Sequence, residues 1–556
     1  MAASETADVL IIGSGAAGGA CAWSLSRVPG IRVVCLEQGD WVDPPPSVPR
    51  PEADGERERL VAPPPRAGVR HFANGYPYDH SASYWQPILG NAVGGGTVHY
   101  GAVWARLRPS DFVAGSLSGV GADWPIRYWD LAPYYDFNDR MVGISGVPGN
   151  PAYPPKPVDL QPPHRLTRAG EILSRGFDRL GWHWWPAERA VLTVPHGGRE
   201  PCPQDCESCH QGCPREAKNS TDVVHWPQAV RNGVVLRTRA RVREITVGGN
   251  GLADGALYHA ADGAVHRQKA RVVVLACNGI GTPRLLLNST SGRFPQGLAN
   301  GSGLVGRGLM GHPFATVVAA FEDEDVSTRA RAGAFLTSDE FSDAADGRGY
   351  ARGFSILSGT YRGPIEAALG GPPDSLASAR PAEWRGAPVR GRALPWGRVH
   401  HAAFQERVRR TAGLMVFCDE LPDDHNRVEL DPALTDEAGI PAPKLFYRRG
   451  DNTERMLAYG MERCQEVMEA AGTARIVSAE KLQAAPGHYL GTARMGADPG
   501  RSVVDAWGRA HDVRNLFIID GSVFTSAGST VPTSTIQALA LRTADYVRDN
   551  AREFTG

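Results

Sequence analysis

Residues 8–18 read DVLIIGSGAAG, a short apolar run that ends in the pattern G-x-G-x-x-G formed by Gly13, Gly15 and Gly18. The apolar run predicts a buried parallel strand, and the glycines predict a tight turn into a helix that begins near Ala16. The free N–H groups and the dipole at the start of such a helix favour a bound diphosphate. This pattern therefore predicts an α/β domain that holds a phosphorylated ligand.

A second apolar run, residues 31–36, ends at Glu37, about twenty residues after the glycine turn. A carboxylate at this place can accept hydrogen bonds from both ribose hydroxyls of an adenosine. A glycine-rich turn without a ligand is the simpler alternative. The order strand, turn, helix, strand and acid favours a dinucleotide site.

Composition excludes several classes of function. The 556 residues contain 59 basic and 60 acidic side chains, for a net charge of −1, so no basic field attracts nucleic acid or a membrane surface. No apolar run reaches the roughly 18 residues that a membrane span needs. The first strand begins at Asp8, which leaves no room for a signal peptide, and we expect a cytoplasmic protein. Export on a separate partner would leave no trace in the sequence.

Later segments suggest that the dinucleotide domain is interrupted. Strand patterns occur at 234–247, 270–277 and 514–524, and helical patterns at 451–472 and 533–549. Residues 42–67 are rich in Pro and Arg and predict a long loop, and residues 325–412 predict mixed structure. The first and last strands of one sheet would thus lie at opposite ends of the chain, with a substrate domain inserted between them.

Four segments carry a resemblance to a known family. They are GSGAAGG at 13–19, GNAVGGGTVHYGAVW at 90–104, ACNGIGTPRLLLNS at 276–289 and HYLGTARMG at 488–496. In this order they resemble the glucose–methanol–choline (GMC) oxidoreductases, which are FAD-dependent alcohol oxidases and dehydrogenases. Further segments, including GLVGRGLMGHP at 303–313, are similar to bacterial members that act on sugars, aminoglycosides or cyclic polyols.

The resemblance implies an α/β fold with a Rossmann-like FAD-binding domain and an inserted substrate domain on an antiparallel sheet. The FAD-binding domain would comprise residues 1–120, 220–325 and 485–556. The substrate-binding domain would comprise residues 121–219 and 326–484.

The resemblance also implies a catalytic base, His488, which would take the proton of the substrate hydroxyl. A histidine that merely caps a turn is the alternative. Family members carry a second His or Asn before a Pro-Thr pair, but Val531 stands there in this chain. His488 would then act alone, Ser529, Thr530 or a residue of the inserted domain would substitute, or the reaction would differ.

Further residues are expected near the flavin by resemblance. Gly94 and Gly95 form the second glycine turn, and Asp520 would bind the ribityl or phosphate region or cap the terminal helix. Val242 would lie near the adenine. His99 occupies a position where some members attach FAD covalently, and a hydrogen bond to the flavin is the alternative.

A cysteine cluster has the spacing C-x3-C-x2-C-x3-C and comprises Cys202, Cys206, Cys209 and Cys213. Disulfides or free thiols are the favoured interpretation. An iron–sulfur cluster and a zinc site with His210 as a spare ligand are the alternatives. An iron–sulfur cluster here would imply that electrons leave to a protein or quinone acceptor instead of O2.

The sequence as a whole predicts FAD-dependent oxidation of a hydroxyl group on a sugar, amino sugar or cyclic polyol. The expected partners are this small alcohol and an electron acceptor, either O2 or a redox partner, with no nucleic acid and no membrane insertion. A GMC-fold lyase or isomerase is one alternative, because Val531 cannot transfer a proton. A flavin subunit of an electron-transfer complex is another.

Overall fold

The structure, a computed structural model, describes most of the chain. The described residues are 6–42, 76–83, 87–203, 209, 212–322, 326, 335–345, 347–359, 397–473, 475–482, 487–550 and 553. Most of the predicted loop 42–67, parts of the segment 325–412, and both Cys206 and His210 lie outside these residues.

Strands are numbered in chain order. They are β1 Ala7–Ile12, β2 Val33–Leu36, β3 Asp79–Ser83, β4 Trp185–Pro186, β5 Val235–Arg237, β6 Arg241–Val247, β7 Ala253–His259, β8 Val265–Leu275, β9 Phe314–Ala320, β10 Leu336–Ser338, β11 Phe354–Ser358, β12 Thr411–Cys418, β13 Arg427–Thr435, β14 Pro441–Tyr447, β15 Arg475–Lys481 and β16 Leu516–Ile518.

The α-helices span Ala16–Leu25, Ala114–Ser118, Tyr128–Val142, Arg168–Leu180, Thr221–Val224, Trp226–Arg231, Asn278–Asn288, Arg398–Arg407, Asp451–Ala471 and Thr533–Asp549. Short 3-10 helices span Gly95–Val98, Pro109–Val113 and Gly521–Val523. Within the described part of the chain, no helix is long and apolar enough to cross a membrane.

The first sheet is the predicted dinucleotide-binding sheet. Its order is β5-β2-β1-β8-β7-β6, and β16 also pairs with β8. Strands β5, β2, β1, β8 and β16 pair in parallel, whereas β6, β7 and the first half of β8 form an antiparallel extension. Strand β1 is fully buried from Val9 to Ile12 because helices cover both faces of a parallel sheet.

The predicted strand region 234–247 is divided in the structure. Its first part forms β5 at one edge of the sheet and its second part forms β6 at the other edge. The chain turns between them at Arg239, which has a φ of +52°. Alternation of side chains predicts strands here, but it does not show where one strand ends and the next begins.

A second sheet, of order β15-β9-β12-β11-β10-β4, is antiparallel throughout. The helices Arg168–Leu180 and Asp451–Ala471 pack on it through a core that includes Phe354, Val416 and Met456. A small third sheet joins β13, β14 and β3.

The α/β fold class, with a Rossmann-like sheet and an antiparallel second sheet, is confirmed. The domain boundaries stay a prediction. Two strands inside the predicted FAD-binding segments, β3 and β9, pair with strands of the inserted region.

A close helix contact yields a test of this packing. A Cβ at Gly176 would lie 2.2 Å from the carbonyl oxygen of Val467, whereas a Cβ at Gly170 of the same helix meets nothing nearer than 3.4 Å. We expect Gly176→Ala to lower the free energy of unfolding by about 1–3 kcal/mol, more than alanine gains in helix propensity, about 1 kcal/mol. Gly170→Ala is the matched control and should keep or raise the thermal midpoint. Equal midpoints for the two variants would contradict the contact.

Candidate active site

The first glycine turn is closed by backbone contacts that no side chain tolerates. Gly13 has a φ of +97°, and a Cβ there would lie 2.5 Å from the carbonyl oxygen of Ala276. A Cβ at Gly18 would lie 1.9 Å from the carbonyl oxygen of Gly13. These two glycines let β1 turn directly into the helix Ala16–Leu25, as predicted.

Glu37 is held at the end of β2 by backbone and side-chain donors. Its Oε2 accepts hydrogen bonds from Ser14 N at 2.9 Å and from Ser14 Oγ at 2.7 Å, and its Oε1 accepts one from Gly39 N at 2.8 Å. Burial raises the pKa of Glu37, and the three donors oppose that rise. A carboxylate has about four lone-pair positions, so it can still accept from a ligand.

The second glycine turn packs directly on the first. Gly94 N donates to the Ser14 carbonyl oxygen at 3.3 Å, and a Cβ at Gly95 would lie 2.9 Å from the Cα of Gly15. Gly94 has a φ of +97° and Gly95 a φ of +51°. The 3-10 helix Gly95–Val98 then leads to His99, which is 6 % exposed.

Both turns border one cavity of about 300 Å³. Eight of the predicted site residues line this cavity, namely Gly13, Gly15, Glu37, Gly95, His99, Val242, His488 and Asp520. Gly18 and Gly94 are not among the lining residues, and their contacts hold the turns from behind.

The groups that face the cavity suit a diphosphate linked to a ribose. The helix Ala16–Leu25 begins without a side-chain cap and without an acidic residue in its first turn, so its N–H groups stay available to an anion. The Glu37 carboxylate supplies acceptors for hydroxyl groups. Asp520 accepts from Ser522 N at 2.9 Å and from Thr282 Oγ1 at 2.6 Å, and burial raises its pKa.

His488 is half-buried and hydrogen-bonds a second histidine. Its Nδ1 lies 3.0 Å from Nδ1 of His312, and the two rings are perpendicular. Nε2 of His312 lies 3.0 Å from the carbonyl oxygen of Gly528. Burial lowers the pKa of His312 to about 4, and burial together with His312 lowers that of His488 well below its usual value. Both imidazoles are therefore neutral at neutral pH.

His312 is a site residue that sequence reasoning missed. It lies in the segment 303–313, which carried only a general family resemblance. The histidine before Pro313 was the available signal, but its partner is 176 positions away.

Position 531 borders a second cavity of about 40 Å³. Thr530 and Val531 line this second cavity, whereas Pro532 and Thr533 line the first. Ser529, an expected substitute, accepts a hydrogen bond from Arg108 Nη2 at 3.1 Å and is buried. Phe417 also lines the second cavity, and its ring centroid is 6.3 Å from that of His488.

The cysteine cluster is described in part. Cys209 lies 3.7 Å from Arg189 Nη2, Cys202 is buried, and Cys213 is half-buried. Because Cys206 lies outside the described residues, the state of the four cysteines stays a prediction.

A parallel sheet whose glycine turns and buried acid border a histidine-bearing cavity defines a dinucleotide-dependent α/β enzyme. Two family models described as GMC oxidoreductase match residues 7–314 and 422–540. The chain belongs to the GMC oxidoreductase family.

Three similar proteins illustrate the relationship. The chain is 38 % identical to a 2-methyl-1,2-propanediol dehydrogenase of Mycolicibacterium austroafricanum, over 98 % of this chain and 95 % of that protein. It is 32 % identical to a 6'''-hydroxyparomomycin C oxidase of Streptomyces lividus, over 97 % of this chain and 90 % of that protein. The fold matches pyridoxine 4-oxidase from Mesorbium loti with a TM-score of 0.63 and 17 % identity, over 98 % and 99 % of the two chains.

The chain is thus an FAD-dependent alcohol oxidoreductase. The residues around the first cavity fit FAD, because they offer unpaired helix N–H groups, a buried carboxylate that can accept from hydroxyl groups and two glycine turns without side chains.

Two glycines of the first turn give separable predictions. Gly15 lines the cavity, and a Cβ there meets no protein atom nearer than 3.9 Å, whereas a Cβ at Gly18 strikes the backbone. We expect Gly15→Ala to weaken FAD binding at least about 10-fold and to change the stability of the apoprotein by less than about 0.5 kcal/mol. Gly18→Ala should lower both the affinity for FAD and the free energy of unfolding of the apoprotein. FAD titration and thermal unfolding of the apoprotein measure the two effects.

The control is Gly249→Ala, because a Cβ there meets nothing within 4 Å. Unchanged FAD affinity in Gly15→Ala would exclude the diphosphate from this turn.

Proposed function

We propose that this enzyme oxidises a hydroxyl group of a small polyol or sugar, and that His488 accepts the hydroxyl proton. The observation that supports this assignment is the place of His488 in the wall of the cavity that both glycine turns border. A neutral imidazole in that wall is in the form that can accept a proton.

The proposed contacts of FAD follow from the lining of the first cavity. The N–H groups that follow Gly15 would hold the diphosphate, and Glu37 would accept from the ribose. Val242 would border the adenine, and Asp520 with the backbone after it would bind the ribityl or phosphate region. Bound FAD supplies the hydride acceptor, its N5 atom.

His488 does the protein's part of the chemistry. The carbinol carbon loses a hydride, which carries two electrons, and the hydroxyl proton moves to the imidazole. The product is a carbonyl compound. The resulting imidazolium returns its proton to solvent when the product leaves. The side chain of Val531 has no polar atom, so this proposal assigns the proton transfer to His488 without help from that side chain.

The rest of the substrate is proposed to occupy the second cavity. Its walls combine the aromatic rings of Trp104 and Trp185 with the ion pair of Lys156 and Glu188. Aromatic faces suit C–H groups, and the ion pair can donate to and accept from hydroxyls. About 40 Å³ is room for roughly three water molecules. Together with the diol named for one relative, this favours compact polyols over aminoglycosides.

Three finer points of the redox chemistry belong to this proposal. His99 lines the first cavity and is the proposed flavin neighbour, either through a hydrogen bond or through a covalent link. Flavin absorbance that stays with acid-precipitated protein would identify the covalent link. Iron analysis tests the cluster at the four cysteines, and reoxidation under O2 distinguishes an oxidase from a dehydrogenase with another acceptor.

Replacing the proposed base tests the function. We expect His488→Ala to bind FAD normally and to reduce the rate of anaerobic flavin bleaching by substrate about 10²- to 10⁴-fold, because no group remains to take the proton. The measurement is stopped-flow absorbance with a panel of 1,2-diols, cyclic polyols, sugars and aminoglycosides.

The control variant is His425→Ala, which changes an exposed histidine on another loop. If His488→Ala bleaches as fast as the unmodified enzyme, His488 is not the base. If no alcohol bleaches the unmodified enzyme, the proposed oxidation itself is wrong.

A further inference from the structure

We propose that His312 is a positioning residue that fixes the tautomer of His488 and directs its free lone pair toward the substrate. The inference deepens the proposed function, since it rests on His488 as the base. The inference gives a role to a buried histidine that neither takes nor gives the substrate proton.

The hydrogen-bond chain determines which nitrogen carries each hydrogen. The carbonyl oxygen of Gly528 can only accept, so Nε2 of neutral His312 carries the hydrogen. Nδ1 of His312 is then an acceptor, and its partner 3.0 Å away, Nδ1 of His488, must donate. Nε2 of His488 is left with its lone pair, which is the atom a base needs.

The neutrality of both rings makes this assignment consistent. His312 is 1 % exposed, and burial disfavours a charge on it. Two protonated rings would place two N–H groups against each other at Nδ1, so the contact requires at least one unprotonated Nδ1.

Two carboxyl groups hold the backbone on either side of the hydrogen bonds that join Gly528, His312 and His488. Asp419 Oδ1 accepts from Gly528 N at 2.9 Å, and Glu420 Oε2 accepts from Gly311 N at 2.8 Å. Tyr447 in turn donates to Glu420 Oε1 at 2.6 Å. The acceptor for His312 and the residue that precedes His312 are therefore both anchored at the end of β12.

The surroundings of the pair restrict its motion further. The ring centroid of Phe417 lies 5.9 Å from that of His312 and 6.3 Å from that of His488. A Cβ at Gly528 would lie 2.4 Å from Leu107, so the Gly528 backbone fits closely against its neighbours. His312 is thus held in one place, and it can hold His488 in one orientation.

Two substitutions of His312 distinguish the effect of its hydrogen-bond acceptor from the effect of the space that its ring fills. Asparagine can present an oxygen acceptor near the position of Nδ1, whereas leucine fills the space and presents none. We expect His312→Leu to lower the limiting rate of anaerobic flavin reduction about 10- to 100-fold, with FAD content and the apparent substrate dissociation constant little changed. His312→Asn should restore most of the lost rate.

A double variant shows whether His312 acts through His488. We expect His312→Leu to cost nothing further when His488 is already alanine, because groups that act as a unit are not additive. Histidine 15N shifts give an independent readout, in which the signals removed by His488→Ala should be those of an Nδ1–H tautomer.

The outcomes distinguish the two proposals. If His488→Ala lowers the rate but His312→Leu does not, this inference is wrong and the proposed function stands. If His312→Asn is as slow as His312→Leu, His312 acts through packing, which also overturns the inference. If neither position affects flavin reduction, the proposed base is wrong. Should the leucine variant fail to bind FAD, the asparagine variant and the 15N shifts decide.

Discussion

The cofactor cavity depends on the hydrogen bonds of one buried residue, Ser14. Its N–H and hydroxyl both donate to Glu37 at the end of β2. Its carbonyl oxygen accepts from Gly94 in the second glycine turn and from the indole of Trp226, at 2.7 Å. Ser14 is fully buried, so each of these polar groups would be costly if left unpaired. Two strand ends, a helix and the second turn are thereby fixed around the first cavity, where we propose that the diphosphate of FAD binds.

The parts of the structure that sequence could predict are those that local rules determine. Strand β1, the turn at Gly13 and the helix from Ala16 lie within about twenty residues, and periodicity and glycine positions specify them. The contact of His312 with His488 could not be predicted in this way, because it joins positions 176 residues apart through tertiary packing. The same limit applies to Val531. The sequence shows that Val531 stands where family members carry His or Asn. It does not show the second cavity that Val531 borders, because distant segments form that cavity.

The two main sheets contribute differently to the site. The parallel sheet supplies backbone groups at its strand ends, where N–H donors and glycine turns suit a large anionic ligand. The antiparallel sheet supplies buried acidic groups, because β12 ends at Cys418, directly before Asp419 and Glu420. Burial raises the pKa of Asp419 to about 6 and that of Glu420 to about 7. Such groups are costly to bury, and the backbone N–H groups that they accept from offset part of that cost.

The late position of β16 in the chain has a consequence for biosynthesis. Leu516 pairs with Val273, so the strand beside β8 is made about 240 residues after it. Asp520, Gly521 and Thr533, which follow β16, form part of the cofactor cavity. A nascent chain that has emerged only through β8 carries both glycine turns but lacks this wall. The cavity is therefore completed only after translation has passed the last strand.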